Sequence, residues 1–396
     1  MGKFDYICSA KLINPTSCTS RQNGAGRRNL NYKEIDMSTE NKKEIVLSGI
    51  RSTGNLHLGN YYGALSKFVK MQDDYDCLFF IADLHALTTN PDPESLHGNV
   101  KNILAEYLAA GLDPEKATIF VQSDVPEVSE MYLLLNMHVG IGELMRTASF
   151  KDKARKALGL TAPAGGDDTD EAFERQIIGA STNKRVNAGL LTYPTLMAVD
   201  ILIQKANKVP VGKDQLQHLE LTRRFARRFN SFYGVDLFPE PESFDFGGKP
   251  VKVPGLDGSG KMGKSEGNCI YLIDEPKALR KKVMRAVTDQ GPSEPNSPVS
   301  EPIENLFTLL ELTSTPEIVK HYRDAYADCS IRYGDLKKQL AEDILAVTTP
   351  IRERVADILA DEDYLRRVLA QGAERARERA SKTLSEVRQI MGIRKF

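Results

Sequence analysis

The sequence predicts an α/β fold: a parallel sheet with crossover helices, followed by a C-terminal α-helical region. Three observations carry that reading. Cys77-Leu78-Phe79-Phe80-Ile81-Ala82, ending at Asp83, is a continuous apolar run, as a parallel strand buried on both faces requires. Strand-like and helical stretches alternate over residues 44–229, which implies right-handed crossovers between parallel strands. From Pro276 onward the pattern is helical almost throughout, broken by a Pro-rich stretch at 291–302.

The elements follow in order. Residues 44–50 read as a strand, 51–54 as a turn, and 57–71 as a helix. After the 77–83 strand, 93–111 is an amphipathic helix closed by Gly111, and 118–122 is another short strand. Ligands of such sheets sit at the carboxyl ends of the strands, which places Gly49, the 82–85 end and Gln122-Ser123 on one edge. Residues 158–185 hold Pro163, Gly165-Gly166, Asp167, Asp168, Asp170 and Glu171, and read as a flexible insertion with one short helix. Helix resumes around Thr195, with Pro194 as its starting proline. Residues 209–212 look like a strand entering a helix over 214–229, and 269–273 is strand-like.

The expected organisation is a disordered extension over 1–43, an α/β domain over 44–255, and a lysine-rich loop with a helical domain over 256–396. The extension is rich in Ser, Asn, Thr, Gly and Arg and shows no periodicity. It lacks acids from Tyr6 to Lys33 and carries Arg21, Arg27 and Arg28, a weak transit-peptide signal; Pro15, Gly24 and Gly26 oppose the helix such peptides form. Met37 reads as an alternative start. The expected location is the cytoplasm, or an organelle matrix if residues 1–36 are a genuine transit peptide.

Bulk composition excludes several classes. The 396 residues are 41% hydrophobic and 27% charged, with no apolar run that would span a bilayer. Net charge is -1, so a polyanionic partner needs a local basic patch, not a global field. Arg352, Arg354, Arg366, Arg367, Arg375, Arg377, Arg379, Lys382 and Arg388 are candidates for one, although interleaved acids make a solvated helix face the readier account of any single arginine. The five cysteines form no CxxC pair, so neither a zinc site nor a disulfide framework is expected.

Two distant stretches carry the chemistry. Ser48-Gly49-Ile50-Arg51 leads through Gly54 to His57-Leu58-Gly59-Asn60, where His57 and Asn60 lie three apart at a helix start. Lys261-Met262-Gly263-Lys264-Ser265 sets two lysines and a serine on a glycine-flanked loop. Two ammonium groups there suit the charge that builds on a leaving pyrophosphate. The same loop, from Gly258, also satisfies the P-loop pattern G-x-x-x-x-G-K-S, but a P-loop opens a helix and residues 266–273 read as a turn and a strand. A third stretch, Leu191-Thr192-Tyr193-Pro194-Thr195-Leu196-Met197-Ala198-Val199-Asp200, aligns Met197 and Asp200 on one helix face. A thioether beside a carboxylate suits an aromatic ligand with a single N–H donor. A core Met beside a surface Asp is the plainer alternative.

The first two stretches resemble the HIGH and KMSKS elements of class I aminoacyl-tRNA synthetases, with Asn60 at the last position of the first and Gly263 in place of the second's central serine. The third, with Val209-Pro210-Val211-Gly212-Lys213-Asp214-Gln215 and Ile141-Gly142-Glu143-Leu144, is similar to the tryptophanyl branch of bacterial type from about Ile45 to the C-terminus. The tyrosyl branch usually has Gln where Met197 stands.

The resemblance implies a Rossmann-like nucleotide-binding domain and an anticodon-binding helical domain. It implies that ATP, with Mg²⁺ bound mainly by the phosphates, activates L-tryptophan for transfer to tRNA(Trp). The implied roles are His57, Asn60, Lys261, Lys264 and Ser265 at the phosphates. Gly49, Arg51, Gly59, Gly212 and Asp214 seat the nucleotide, with Lys151 and Lys153 on the opposite wall. His85, Tyr193, Met197, Asp200 and Gln215 hold tryptophan, and no metal is held by protein side chains. A homodimer is implied too; the apolar Met131-Tyr132-Leu133-Leu134-Leu135 is a candidate interface, which ordinary core explains equally well. A regulatory paralogue that has lost catalysis would show eroded phosphate loops; both lysines and the His57–Asn60 pair are present.

Overall fold

Parallel strands need cover on both faces, and the apolar run at the centre of the sheet supplies it. The computed structural model describes residues 43–159, 173, 175, 177, 186–212, 215–246, 252–258 and 260–394. The expected N-terminal disorder, nearly all of the 158–185 insertion, and Asp214 lie outside the described residues. Strand β2 (Asp76–Ala82) sits between β1 (Ile45–Arg51) and β3 (Thr118–Val121), and its residues from Cys77 to Ala82 are all buried. Strands β4 (Lys208–Val209) and β5 (Glu242–Ser243) complete the order β3-β2-β1-β4-β5, every pair parallel. The order reverses at β1, so the carboxyl ends of β1 and β4 diverge into a crevice.

The period of two along β2 divides the core. Cys77, Phe79 and Ile81 join one cluster with Leu56, Phe68 and Ile103; Leu78, Phe80 and Ala82 join the other with Ala198 and Phe225. The crossover helices lie over these faces. Helix α1 spans residues 58–71, with a π-helical stretch at Tyr61–Leu65. Helix α2 (Pro93–Ala109) starts at Asp92, whose side chain accepts from the Ser95 N–H, with proline at its first position. Helices α3 (Glu127–Asn136) and α4 (Ala148–Leu158) follow.

Helix α5 (Ala188–Ile203) corrects the expected start at Thr195. Asn187 caps it by accepting from the Leu190 N–H, so Pro194 sits inside the helix, not at its head. A proline there removes one helical hydrogen bond, to the Leu190 carbonyl. Burial of Tyr193, Thr195, Ala198 and Val199 offsets that loss. Helix α6 (Leu216–Tyr233) follows β4. Strand β5 was not expected; its two exposed residues lie beside prolines and carry no apolar signal, yet its flanks bond Asn207 and Val209.

Helices α7 (Pro276–Met284), α8 (Glu301–Thr313), α9 (Pro316–Ala327), α10 (Tyr333–Ala360) and α11 (Glu362–Ile390) form the predicted helical region. Residues 43–396 make one compact unit. Helix α11 lies so close to β3 that a Cβ on Gly372 would stand 1.8 Å from the Ile119 carbonyl oxygen. Several arginines considered for a basic patch are straps between these helices and the sheet. Arg379 pairs with Asp76 at 2.5 Å, Arg375 donates to the Pro114 carbonyl at 2.8 Å, and Arg377 donates to the Asp124 carbonyl. Among the described residues no helix is long and apolar enough to cross a membrane.

Candidate active site

The crevice at the strand-order reversal holds two adjoining cavities. One, of about 510 Å³, is lined by Gly49, Arg51, His85, Lys153, Tyr193, Met197, Asp200, Gly212 and Gln215, among others. The second, of about 950 Å³, is lined by Arg51, His57, Asn60, Thr88, Lys153, Lys156, Lys264 and Ser265. Arg51, Asn60, Thr88 and Lys153 line both. The sequence motifs therefore converge on one double chamber, with apolar walls and a carboxylate at one end and cations at the other.

At the apolar end, Asp200 is 5% exposed on α5. The Gln122 side-chain amide donates to its two oxygens at 2.8 and 2.9 Å, and His85 Nε2 lies 3.0 Å from Oδ2. Burial raises the Asp200 carboxyl above its ordinary value, while the bonds from His85 and Gln122 pull it back. Among the described residues Oδ1 accepts only from Gln122, so it keeps acceptor capacity in a residue that lines the cavity. Gln122, at the carboxyl end of β3, was not singled out as a site residue; a buried polar side chain at that edge was the available signal. Met197 is half-buried on the same face. The Tyr193 hydroxyl bonds Ser149 at 2.6 Å and His218 at 2.9 Å, while Lys153 stacks 3.7 Å from its ring centroid.

At the cationic end, His57 precedes α1 and its N–H donates to the Asn60 side chain at 3.1 Å. The segment is clamped to the lysine loop. Leu58 N–H donates to the Ile270 carbonyl and Leu272 N–H to the Leu56 carbonyl, each at 2.9 Å, with His57 bridged to Tyr271. After a single 3₁₀ turn at Lys264–Glu266 the chain is thus extended, and no helix begins before Pro276. The P-loop alternative has no helix to open.

Within the loop, Met262 is buried and Lys261 is exposed, whereas Lys264 is half-buried and donates to the Gly54 carbonyl at 2.7 Å. Asn268 staples the loop, accepting from the Gly263 N–H at 2.9 Å and donating to the Lys261 carbonyl at 3.1 Å. Gly59 lies against the His57 ring, where a Cβ would come within 2.7 Å. Gly49 meets Phe80 the same way, at 2.6 Å. Lys151 lies beside Phe173 and lines neither chamber; Lys156, which was not singled out, lines the larger one.

Burial, with Lys264 and Lys261 nearby, lowers the His57 imidazole to about 4. It is neutral at neutral pH. An unfolded histidine binds its proton near 6.5, so between about 4 and 6.5 the unfolded chain holds more protons and stability rises with pH. His57→Asn is expected to flatten that part of the stability–pH curve, read by denaturant unfolding; an unchanged slope would show that His57 titrates normally.

Residues 39–348 match the model of the family described as tRNA synthetases class I (W and Y), and the chain belongs to that family. A tryptophan–tRNA ligase of Porphyromonas gingivalis is 61% identical over 351 residues, covering 89% of this chain and all of that one. Its counterpart in Rhodopirellula baltica is 41% identical, covering 88% and 99%. The tryptophanyl-tRNA synthetase of Campylobacter jejuni, solved with ADP and tryptophan, superposes with a TM-score of 0.73 at 33% identity, over 88% of this chain and 99% of that one. Within the family, the place of this chain is with the tryptophan–tRNA ligases.

Proposed function

We propose that the double chamber carries both halves of an ATP-dependent tryptophan–tRNA ligation. The tryptophan carboxylate attacks the α-phosphorus of ATP, the bond to the β-phosphate oxygen breaks, and pyrophosphate leaves. The terminal ribose hydroxyl of tRNA(Trp) then takes the acyl group, and AMP departs. The observation that carries this reading is the shared wall: Arg51, Asn60, Thr88 and Lys153 lie where an aromatic chamber ending on Asp200 opens into a cationic one. Catalysis is then positioning and charge stabilisation, with no covalent enzyme intermediate.

In this assignment Asp200 accepts the indole N–H, held in register by Gln122 and His85, and Met197 packs on the ring. Gln215 and the Tyr193 neighbourhood receive the amino group. Gly49, Gly59, Gly212 and Asp214 seat the nucleoside. Neutral His57, with Asn60, Ser265 and the lysines, meets the phosphates, and Mg²⁺ rides on the phosphate oxygens. The helical region from α7 onward serves as the anticodon-binding part, and the cytoplasm is the expected location.

A homodimer belongs to the same reading. Leu133 on α3 and Met137 just past its end stand 56% and 67% exposed, with Ile141 at 66% and Phe232 at 70%. The His138 ring lies 5.4 Å from that of Phe232, and exposed apolar side chains of this kind are what a second copy would cover.

The test is amino-acid-dependent ATP–pyrophosphate exchange with tryptophan and tyrosine in parallel. Exchange with tryptophan alone is expected. Exchange with tyrosine would move the substrate to the sibling branch, and ATP hydrolysis without exchange would overturn the ligase reading.

A further inference from the structure

Glu106 has no part in the sequence reading or in the assignment above, yet it is a fully buried acid next to the site. It is 0% exposed on α2, inside the apolar run from Ile103 to Ala109, where burial of an acid is costly unless it is hydrogen-bonded. Its two oxygens both face the Leu56 N–H, at 3.1 and 2.9 Å.

It does not act alone. Asn99 and Asn102, on the same stripe of α2, donate to the Ser52 carbonyl at 3.2 Å and to the Asn55 side chain at 3.1 Å. Three side chains of one helix thus hold the whole turn from Ser52 to Leu56. That turn meets the lysine loop twice: Gly54 accepts the Lys264 ammonium, and Leu56 accepts the Leu272 N–H. Leu56 is gripped from both sides, its N–H by Glu106 and its carbonyl by the strand that follows the lysines.

We infer that Glu106 is a positioning residue for ATP, holding the 52–57 turn and, through it, Lys264 in the geometry that receives the phosphates. The inference rests on the tryptophan-activating reading of the site. Burial pushes the Glu106 carboxyl up to about 8, against the opposing pull of the Leu56 N–H and Lys264, and so favours the neutral acceptor over the carboxylate. A glutamine reproduces that acceptor; a leucine fills the space and leaves a buried N–H without a partner.

The experiment is tryptophan-dependent exchange on Glu106→Leu and Glu106→Gln, with KM measured separately for ATP and for tryptophan. Glu106→Leu is expected to raise the ATP KM about tenfold while the tryptophan KM stays within about twofold. Glu106→Gln is expected to keep the ATP KM within about threefold of wild type. An unchanged ATP KM in the leucine variant, an equal rise for both substrates, or a glutamine variant as poor as the leucine one would each overturn the inference. Should Glu106→Leu not fold, Asn99→Ala takes its place. This half-buried change removes only the bond to Ser52 and is expected to raise the ATP KM about threefold; no change there is equally fatal. Absence of exchange in the wild type would instead sink the reading on which the inference stands.

Discussion

Lys264→Ala is expected to lower kcat for tryptophan-dependent exchange by about 100- to 1000-fold, the size seen when one preorganised charge is withdrawn from a transition state. The reason lies in where the ammonium sits. It is half-buried, burial lowers its pKa, and Glu106 opposes that shift. It is parked on the Gly54 carbonyl, on the wall of the cationic chamber. A desolvated charge already in place needs little reorganisation when negative charge builds on the departing pyrophosphate. Lys261 is exposed and lines neither chamber. Lys261→Ala is therefore expected to cost about tenfold, a tenth or less of the Lys264→Ala effect. Lys264→Arg is not expected to rescue, because a rigid fork does not replace a point charge beneath a carbonyl. Equal and small effects of both alanine variants on exchange kinetics would remove the lysine loop from the chemistry.

The sheet was legible because its signal is local. An unbroken apolar run as short as 77–82, rich in aromatic and branched residues, favours a buried strand over a helix, and the His57 and Lys264 motifs are short enough to recognise by spacing. What escaped was decided across distance. The pairing of Leu56–Leu58 with Ile270–Leu272 joins segments far apart in sequence, and neither stretch announces its partner. Glu106 reads as a surface position because acids on amphipathic helices nearly always are; only packing of α2 on both sides buries it. The arginines of α11 looked solvated because their partners, Asp76 and the carbonyls of Pro114 and Asp124, lie on the sheet side. The start of α5 was misplaced since proline is a common first residue, and the cap at Asn187 competes with that signal.

In the proposed assignment, substrate choice is concentrated in one carboxylate, Asp200. Asp200→Ala is expected to reduce kcat/KM for tryptophan in exchange by about 1000-fold, without gain of tyrosine activity. The loss has two parts. The indole N–H would enter the chamber without an acceptor, and the Gln122 amide, 1% exposed, would lose the carboxylate that takes its donors. Both are buried polar groups left unpaired, which costs far more than the apolar contact of a ring. Asp200→Asn keeps the shape but confronts the Gln122 and His85 donors with an amide that offers one acceptor where two stood, so it is expected to fall nearly as far. The phenol is expected to gain nothing from either change, because in the proposed assignment Met197 offers it a thioether and no strong hydrogen-bonding partner. If Asp200→Ala kept tryptophan exchange within about tenfold of wild type, discrimination would rest on the shape of the apolar wall, and the carboxylate would serve only to satisfy Gln122 and His85.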